Sequence, residues 1–329
     1  MLVFHFLSGT ANAQSCTPTN INGASLNFTC LQACADLNFQ IPDIRGTENY
    51  VVNSIPYNPL PYVTAAPALT LGCTSQDDKY FDITNIPFQF CFYGINYSQL
   101  SVSTNGAITF DIRNALRGSN YDLNAGVVLP YVGTGDQGSG VCPDPDANVR
   151  LPLAAIFGPF CDIFPQSGDP NYKIEARIEG TSPCSRYIIS FSRIPMYGCT
   201  NVRMTSQIVL YESTGVIDIF IESKPPCTSN GGLGIVGIQN SFAGTPAGLA
   251  VTAPGRGANN GAWSTTNEGW RFTPSGTTSN FVSSELYVLG STTPISTANT
   301  TNTTPGLIDI SFPNICFSAA TQQYRVRTT

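Results

Sequence analysis

Charge is scarce in this chain. Only 11% of its 329 residues are Asp, Glu, Lys or Arg, against about 25% in an average soluble protein. Lysine occurs three times, at Lys79, Lys173 and Lys224. With a net charge of −6 and no grouped cations, the composition argues against nucleic acid, whose phosphates demand clustered Lys and Arg. Long apolar runs are missing as well. None reaches the roughly 18–20 residues needed to cross a bilayer, so no transmembrane segment is expected. Histidine is nearly absent. The single one, His5, lies in a segment expected to be cleaved. A mature chain without imidazole has no Ser-His-Asp or Cys-His catalysis and no His-ligated metal. Helical periodicity is almost absent too, with one short turn at most over 30–36.

What the chain does have is Ser, Thr and Asn, with 30 Gly and 24 Pro. Leu100 and Val102 alternate with serines, Asn105-Gly106 turns the chain, and Ile108 and Phe110 resume the alternation. Asn-Gly between alternating runs is a strong hairpin signal. Residues 186–194 and 206–212 read as strands. After Ser213-Thr214-Gly215, Ile217, Ile219 and Ile221 alternate with Asp218, Phe220 and Glu222, the pattern of a half-buried antiparallel strand. Further strands are expected near 37–41, 49–54, 87–93, 153–157, 173–179, 234–239, 249–252, 269–273, 284–289, 307–312 and 323–328. Many short strands punctuated by Gly, Pro and Asn predict an all-β fold, a large antiparallel β-sandwich of jelly-roll type.

Residues 2–7 are apolar, and Ala11 and Ala13 precede Gln14 as in a signal-peptide cleavage site. Residues 1–13 are therefore expected to be part of a secretory signal peptide. The eleven cysteines are scattered without a CxxC pair, which favours disulfides over zinc and an oxidising compartment. The sandwich is expected over 14–278, and 279–329 as the start of a truncated Ig-like or PKD-like module. Its 291–305 segment, dense in Thr and Asn, reads as a loop inside that module or as a linker. Cys316 then stands alone, a free thiol, leaving ten cysteines for up to five bridges.

One bridge follows from topology. A strand over 186–194 spans about 30 Å at 3.3 Å per residue, too far for Cys184 to reach Cys199, since bridged Cα atoms lie within about 7 Å. The 206–222 hairpin returns Cys227 to the end of the sheet that holds Cys199. The expected disulfide is Cys199–Cys227. The partner of Cys184 stays open.

Two ordered sets of residues resemble a known pattern. Pro87-Phe88-Gln89-Phe90-Cys91-Phe92-Tyr93-Gly94 and Ser103-Thr104-Asn105-Gly106-Ala107-Ile108-Thr109-Phe110 resemble the nidogen-like extracellular domain. Ile156–Ile163, Ile208–Glu212, Gly237–Asn240 and Trp270–Pro274 extend the likeness over about 80–274. The set is similar to the N-terminal domain of large secreted, adhesin-like or gliding-motility-associated surface proteins of Bacteroidota. That resemblance implies cell-surface export by the type IX route, and adhesion or display.

Few motifs carry chemistry. Gly232-Leu233-Gly234-Ile235-Val236-Gly237 matches GxGxxG, but an apolar strand follows where a dinucleotide site needs a helix. Asp144, Asp146 and Asn148 alternate as calcium ligands do, with Asp136, Asp162 and Asp169 as further donors, although the EF-hand Gly and distal Glu are missing; otherwise this is a solvated acidic loop, and no other cofactor is expected. Carboxylates alone support glycoside hydrolysis, with Asp162, Glu175, Glu212 and Glu222 as candidates. No activated serine motif occurs. Tyr121, Tyr131 and Trp263 are candidates for a ligand surface, whereas Tyr93 and Tyr97 read as packing residues. Asn27, Asn96, Asn299 and Asn302 occupy Asn-x-Ser/Thr sequons. The leading reading is a non-catalytic secreted adhesion or display domain whose partner is an extracellular protein or glycan. A carbohydrate-binding module and a carboxylate-dependent glycoside hydrolase are the second and third.

Overall fold

The computed structural model describes residues 34–70, 77–131, 151–165, 171–182, 184–240, 249–303, 307–316 and 323–328. In chain order the strands are β1 (Cys34–Pro42), β2 (Tyr50–Ile55), β3 (Thr84–Phe92), β4 (Ile95–Val102), β5 (Ala107–Thr109), β6 (Ala155–Phe160), β7 (Lys173–Glu179), β8 (Arg186–Met196) and β9 (Cys199–Tyr211). Then come β10 (Ile217–Lys224), β11 (Ile235–Gln239), β12 (Ala250–Thr252), β13 (Thr265–Pro274), β14 (Ser284–Val288), β15 (Ser296–Thr297), β16 (Asn299–Thr301), β17 (Leu307–Cys316) and β18 (Tyr324–Thr328). Among the described residues, only short 3-10 turns are helical, one of them at Ser229–Gly232. Cys34–Asp36, where a short turn was expected, opens β1 instead.

Two six-stranded antiparallel sheets, ordered β2-β13-β10-β9-β8-β7 and β12-β11-β6-β5-β4-β3, form the all-β sandwich. Alternation puts one apolar side chain in two toward the space between them. Phe90, Phe92, Leu100, Val102 and Ile156 from one sheet share a buried cluster with Ile189, Phe191, Ile208, Ile219 and Phe272 from the other. Two hairpins set the register. Tyr93 (φ 47) and Gly94 (φ 77) connect β3 to β4 in the left-handed conformation that a two-residue hairpin turn requires. Gly106, at φ +84, turns β4 into β5, and a Cβ there would stand 2.1 Å from the Pro159 carbonyl oxygen. Tyr93 and Tyr97 are indeed packing residues, their rings lying 4.8 Å from Phe92 and 4.7 Å from Phe110. The glycines of 232–237 lead into β11 with no helix after them, so this GxGxxG is a turn entering a strand.

The outer face around β10 is covered as well, which corrects the half-buried reading of that strand. Asp218 is fully buried and Phe220 nearly so. Arg271 holds Asp218 through two 2.7 Å hydrogen bonds. Phe220 packs with Ile55, Tyr57 and Leu60, where the chain after β2 straps across the sheet. The strap is fixed by charge. Buried Glu175 accepts from Lys173 Nζ at 2.5 Å, Arg177 Nη1 at 2.9 Å and Thr64 Oγ1 at 2.9 Å. Lys173 also donates to the Thr64 and Ala66 carbonyls, and Arg177 to that of Pro61.

Cys199 and Cys227 are bridged with Cα atoms 5.9 Å apart, as the topology required, and Cys184 is disulfide-bonded elsewhere. Cys316 is not a free thiol. It bridges Cys34, 282 positions away, because β1 pairs antiparallel with β17 from Cys34↔Cys316 to Pro42↔Leu307. Residues 34–42, expected in the sandwich, therefore join the C-terminal module. There the sheets β1-β17-β16 and β15-β14-β18 enclose Leu37, Ile41, Leu286, Ile310 and Phe312. The Thr- and Asn-rich stretch supplies the short strands β15 and β16. Five bridges among the remaining ten cysteines are also ruled out, since Cys91 and Cys161 are free. Cys161 is buried against Met204 Sδ at 3.4 Å, and burial pushes its thiol up to about 11.

Candidate functional site

The candidate site gathers at the end of the sandwich beside the Cys199–Cys227 bridge. It is built on the Asn105-Gly106 turn, whose asparagine is completely buried. Asn105 Nδ2 donates to Asp78 Oδ1 at 2.8 Å and to the Asn120 carbonyl at 3.1 Å, while its Oδ1 accepts from the Ile163 amide at 3.2 Å. Asp162, just beyond β6, is thereby set next to the turn. Its carboxylate accepts from Asn230 Nδ2, and its carbonyl accepts from the Tyr197 amide at 3.2 Å. Asn230 belongs to the Ser229–Gly232 turn and adopts a left-handed backbone at φ 45. Its Nδ2 also reaches the Tyr121 carbonyl. Tyr197 closes the β8–β9 turn and packs edge-on to Phe164 at 5.7 Å. The disulfide ties these two turns together, one at Cys199 and the other at Cys227.

Carboxyls dominate the electrostatics of this end. Burial, then Asp78, Asp77 and Asp122, raise Asp162 to about 8. Burial and the neighbouring Asp78 raise Asp77 to about 7. Burial raises Asp78 to about 6, against the opposing pull of Asn105 and Lys79. Tyr121 is shifted upward by burial and the charges of Asp78, Asp122 and Asp162. Raised carboxyl pKa values mean that the folded state holds protons the unfolded chain has released. Stability is then expected to fall as pH rises from about 4, the unfolded carboxylate value, through the folded values of about 6 to 8. Glu175, Glu212 and Glu268 are shifted downward and act only at lower pH, as it falls through the carboxylate range. Urea midpoints are therefore expected to be higher at pH 5 than at pH 8.5, and Asp162→Asn to flatten that difference. A midpoint that rises toward pH 8.5 contradicts the arrangement.

Of the described residues singled out from the sequence, Tyr121 and Asp162 meet here. Tyr131 is elsewhere, its amide donating to Gln239 Oε1 at 2.9 Å and its side chain exposed. Trp263 is half-buried. Its indole N–H donates to the Gly234 carbonyl at 2.9 Å. The Lys224 ammonium and the Arg256 guanidinium lie 4.5 and 4.9 Å from its ring. The carboxylates proposed for hydrolysis are dispersed. Glu175 lies under the strap, Glu212 is held by Ser182 and the Ser185 amide at the β9–β10 turn, and Glu222 is exposed on β10. Asp144, Asp146 and Asn148 lie outside the described residues, as do Asp136 and Asp169. Among the described residues, no group of three or more His, Cys, Asp or Glu is disposed to hold a metal ion. Asn96, Asn299 and Asn302 are exposed, while Asn27 lies outside the described residues.

Sequence reasoning passed over Asp78, Asn230 and Tyr197, and read Asn105 as a turn residue alone. One signal was there: Asp77-Asp78-Lys79 is the only run of three consecutive charges in a chain nearly without them.

A two-sheet sandwich with the Cys199–Cys227 bridge at one end defines a disulfide-bonded β-domain. A family model described as NIDO related matches residues 49–281, and the chain belongs to that family. The matched region begins one residue before β2 and leaves out β1 and the strands from β14 onward. No curated protein and no solved structure matches the chain. No helix among the described residues is long and apolar enough to cross a membrane.

Proposed function

We propose that this chain is a secreted, non-catalytic adhesion or display domain of a surface protein, and that it meets its partner through the end carrying Tyr121 and Tyr197. The observation that supports this is the placement of Tyr121 and Tyr197 beside Asp78, Asp162 and Asn230, with Tyr197 on a turn fixed by the Cys199–Cys227 bridge. Tyr197 keeps 47% of its surface exposed although the main chain around it is pinned, and preorganised aromatic rings are economical contact surface. Asp162 does not meet Glu175, Glu212 or Glu222, the other carboxylates singled out for hydrolysis, which needs two carboxyl groups about 5–10 Å apart across one bond; its neighbours Asp77, Asp78 and Asp122 are the carboxyls that the oligosaccharide turnover assay below tests. Export by the type IX route in a Bacteroidota surface protein is part of the same reading and follows from the family resemblance.

A glycan partner is the second reading. Aromatic rings next to amides and carboxyls suit a sugar, whose ring faces stack while its hydroxyls hydrogen-bond. A glycan array decides between the two. Binding to one glycan class, lost in Tyr121→Ala and Tyr197→Ala at unchanged melting temperature, supports the lectin reading. An empty array, with tyrosine-dependent retention on intact cell surfaces stripped of glycans, supports a protein partner. Turnover of an oligosaccharide overturns both.

A further inference from the structure

We infer that the Cys34–Cys316 disulfide is a mechanical clasp that keeps tension between the two ends of the chain away from the sandwich. The inference concerns how the fold carries force, and it stands whichever ligand the domain binds.

The sandwich is inserted into the small module. Its entry and exit leave from one corner, where Tyr50 at the start of β2 pairs with Pro274 at the end of β13. β2 is the edge strand of its sheet. Hydrogen bonds between antiparallel strands run perpendicular to the chain. Force that separates Tyr50 from Pro274 would therefore break the β2–β13 ladder one bond at a time, from Tyr50↔Pro274 toward Ile55↔Gly269. Force directed along β13 instead loads the whole ladder at once. The corner is the soft point of the sandwich under tension.

Two features guard it. The entry and exit segments pair with each other. Gly46 N donates to the Thr278 carbonyl, Gly276 N to that of Gly46, and Asn280 N to that of Ile44. Asp43, only 2% exposed, accepts from Arg45 Nε and Ser279 Oγ, each at 2.5 Å. Beyond this neck, β1 lies along β17 and is joined to it covalently at Cys34–Cys316. Once β18, which follows Cys316 and pairs with β14, has peeled away, a pull between the ends passes through the sulfur atoms rather than through Tyr50 and Pro274.

The test is optical-tweezer extension of the full oxidised chain with handles at its two ends, against the Cys34→Ser/Cys316→Ser double variant. The oxidised chain is expected to release none of the segment within the bridge, whose ends are 282 positions apart. The variant is expected to release tens of nanometres, up to about 95 nm at roughly 3.4 Å per residue. In the variant, end-to-end pulling should open the sandwich at a severalfold lower force than pulling between the C-terminus and a handle at exposed Asn58, just past the Ile55 end of β2, which loads the whole β2–β13 ladder in shear. Forced opening is governed by the unfolding barrier, so the two directions report two barriers. Wild-type protein reduced in place serves if the variant does not fold, since Cys316 is exposed. Release of the long segment by the oxidised chain overturns the clasp, and equal forces in the two directions overturn the unzipping argument.

Discussion

Glu175→Ala is expected to lower stability by about 3–5 kcal/mol, the cost of stranding one side of a buried ion pair. Glu175 is fully buried between Lys173 and Arg177. With the carboxylate gone, Arg177 keeps its guanidinium buried with fewer acceptors, and the Thr64 amide and hydroxyl lose theirs. The effect should spread to the strap, because Lys173 and Arg177 hold the carbonyls of Pro61, Thr64 and Ala66. Two measurements check this: the urea midpoint, and protease nicking between Pro56 and Leu69. Replacing Glu175 and Arg177 together by Met should cost less than Glu175→Ala, since no unpaired charge then remains from that pair. A single variant with a near-native midpoint and an uncut strap would show that the charges are solvated rather than structural.

Gly106→Ala is expected to cost about 2–6 kcal/mol, the sum of two separate penalties. The backbone sits at φ +84, which a residue with a Cβ adopts at a cost of about 1–3 kcal/mol. The added Cβ would also meet the Pro159 carbonyl oxygen at 2.1 Å, and overpacking costs another 1–3 kcal/mol. Because Asn105 precedes this glycine and positions Asp78 and Ile163, binding at the tyrosine end should weaken along with stability. Gly126→Ala is the control. That glycine has open space around it and no positive φ, so its substitution should be neutral or mildly stabilising. Equal effects at the two sites would remove the argument from close approach.

Much of this fold was legible along the chain because antiparallel strands and tight turns are local patterns. The strand at 173–179, the hairpin at Asn105-Gly106 and the Cys199–Cys227 bridge all follow from alternation, turn chemistry and a length of about 3.3 Å per residue. The candidate site was legible only in fragments. Tyr121 and Asp162 stood out singly, but Asp78, Asn230 and Tyr197 come to them from three separate connections, and no spacing in the sequence encodes that meeting. The alternation of Ile217, Ile219 and Ile221 with Asp218 and Phe220 spoke for one buried face. Whether the other face met water depended on a strap some 160 residues upstream and on the Arg271 guanidinium.

The amino-acid sequence by itself determined the all-β class, the oxidised cysteines and the local strand order, since each rests on residues near one another or on composition. Tertiary structure alone decided that β1 leaves its neighbours in sequence for β17, that Cys316 is bridged rather than free, and that carboxyls converge at one end of the sandwich. Each of these depends on which surfaces remain unpaired once the sheets have closed. A strand buries its apolar side chains wherever a complementary edge is left, however far along the chain that edge lies.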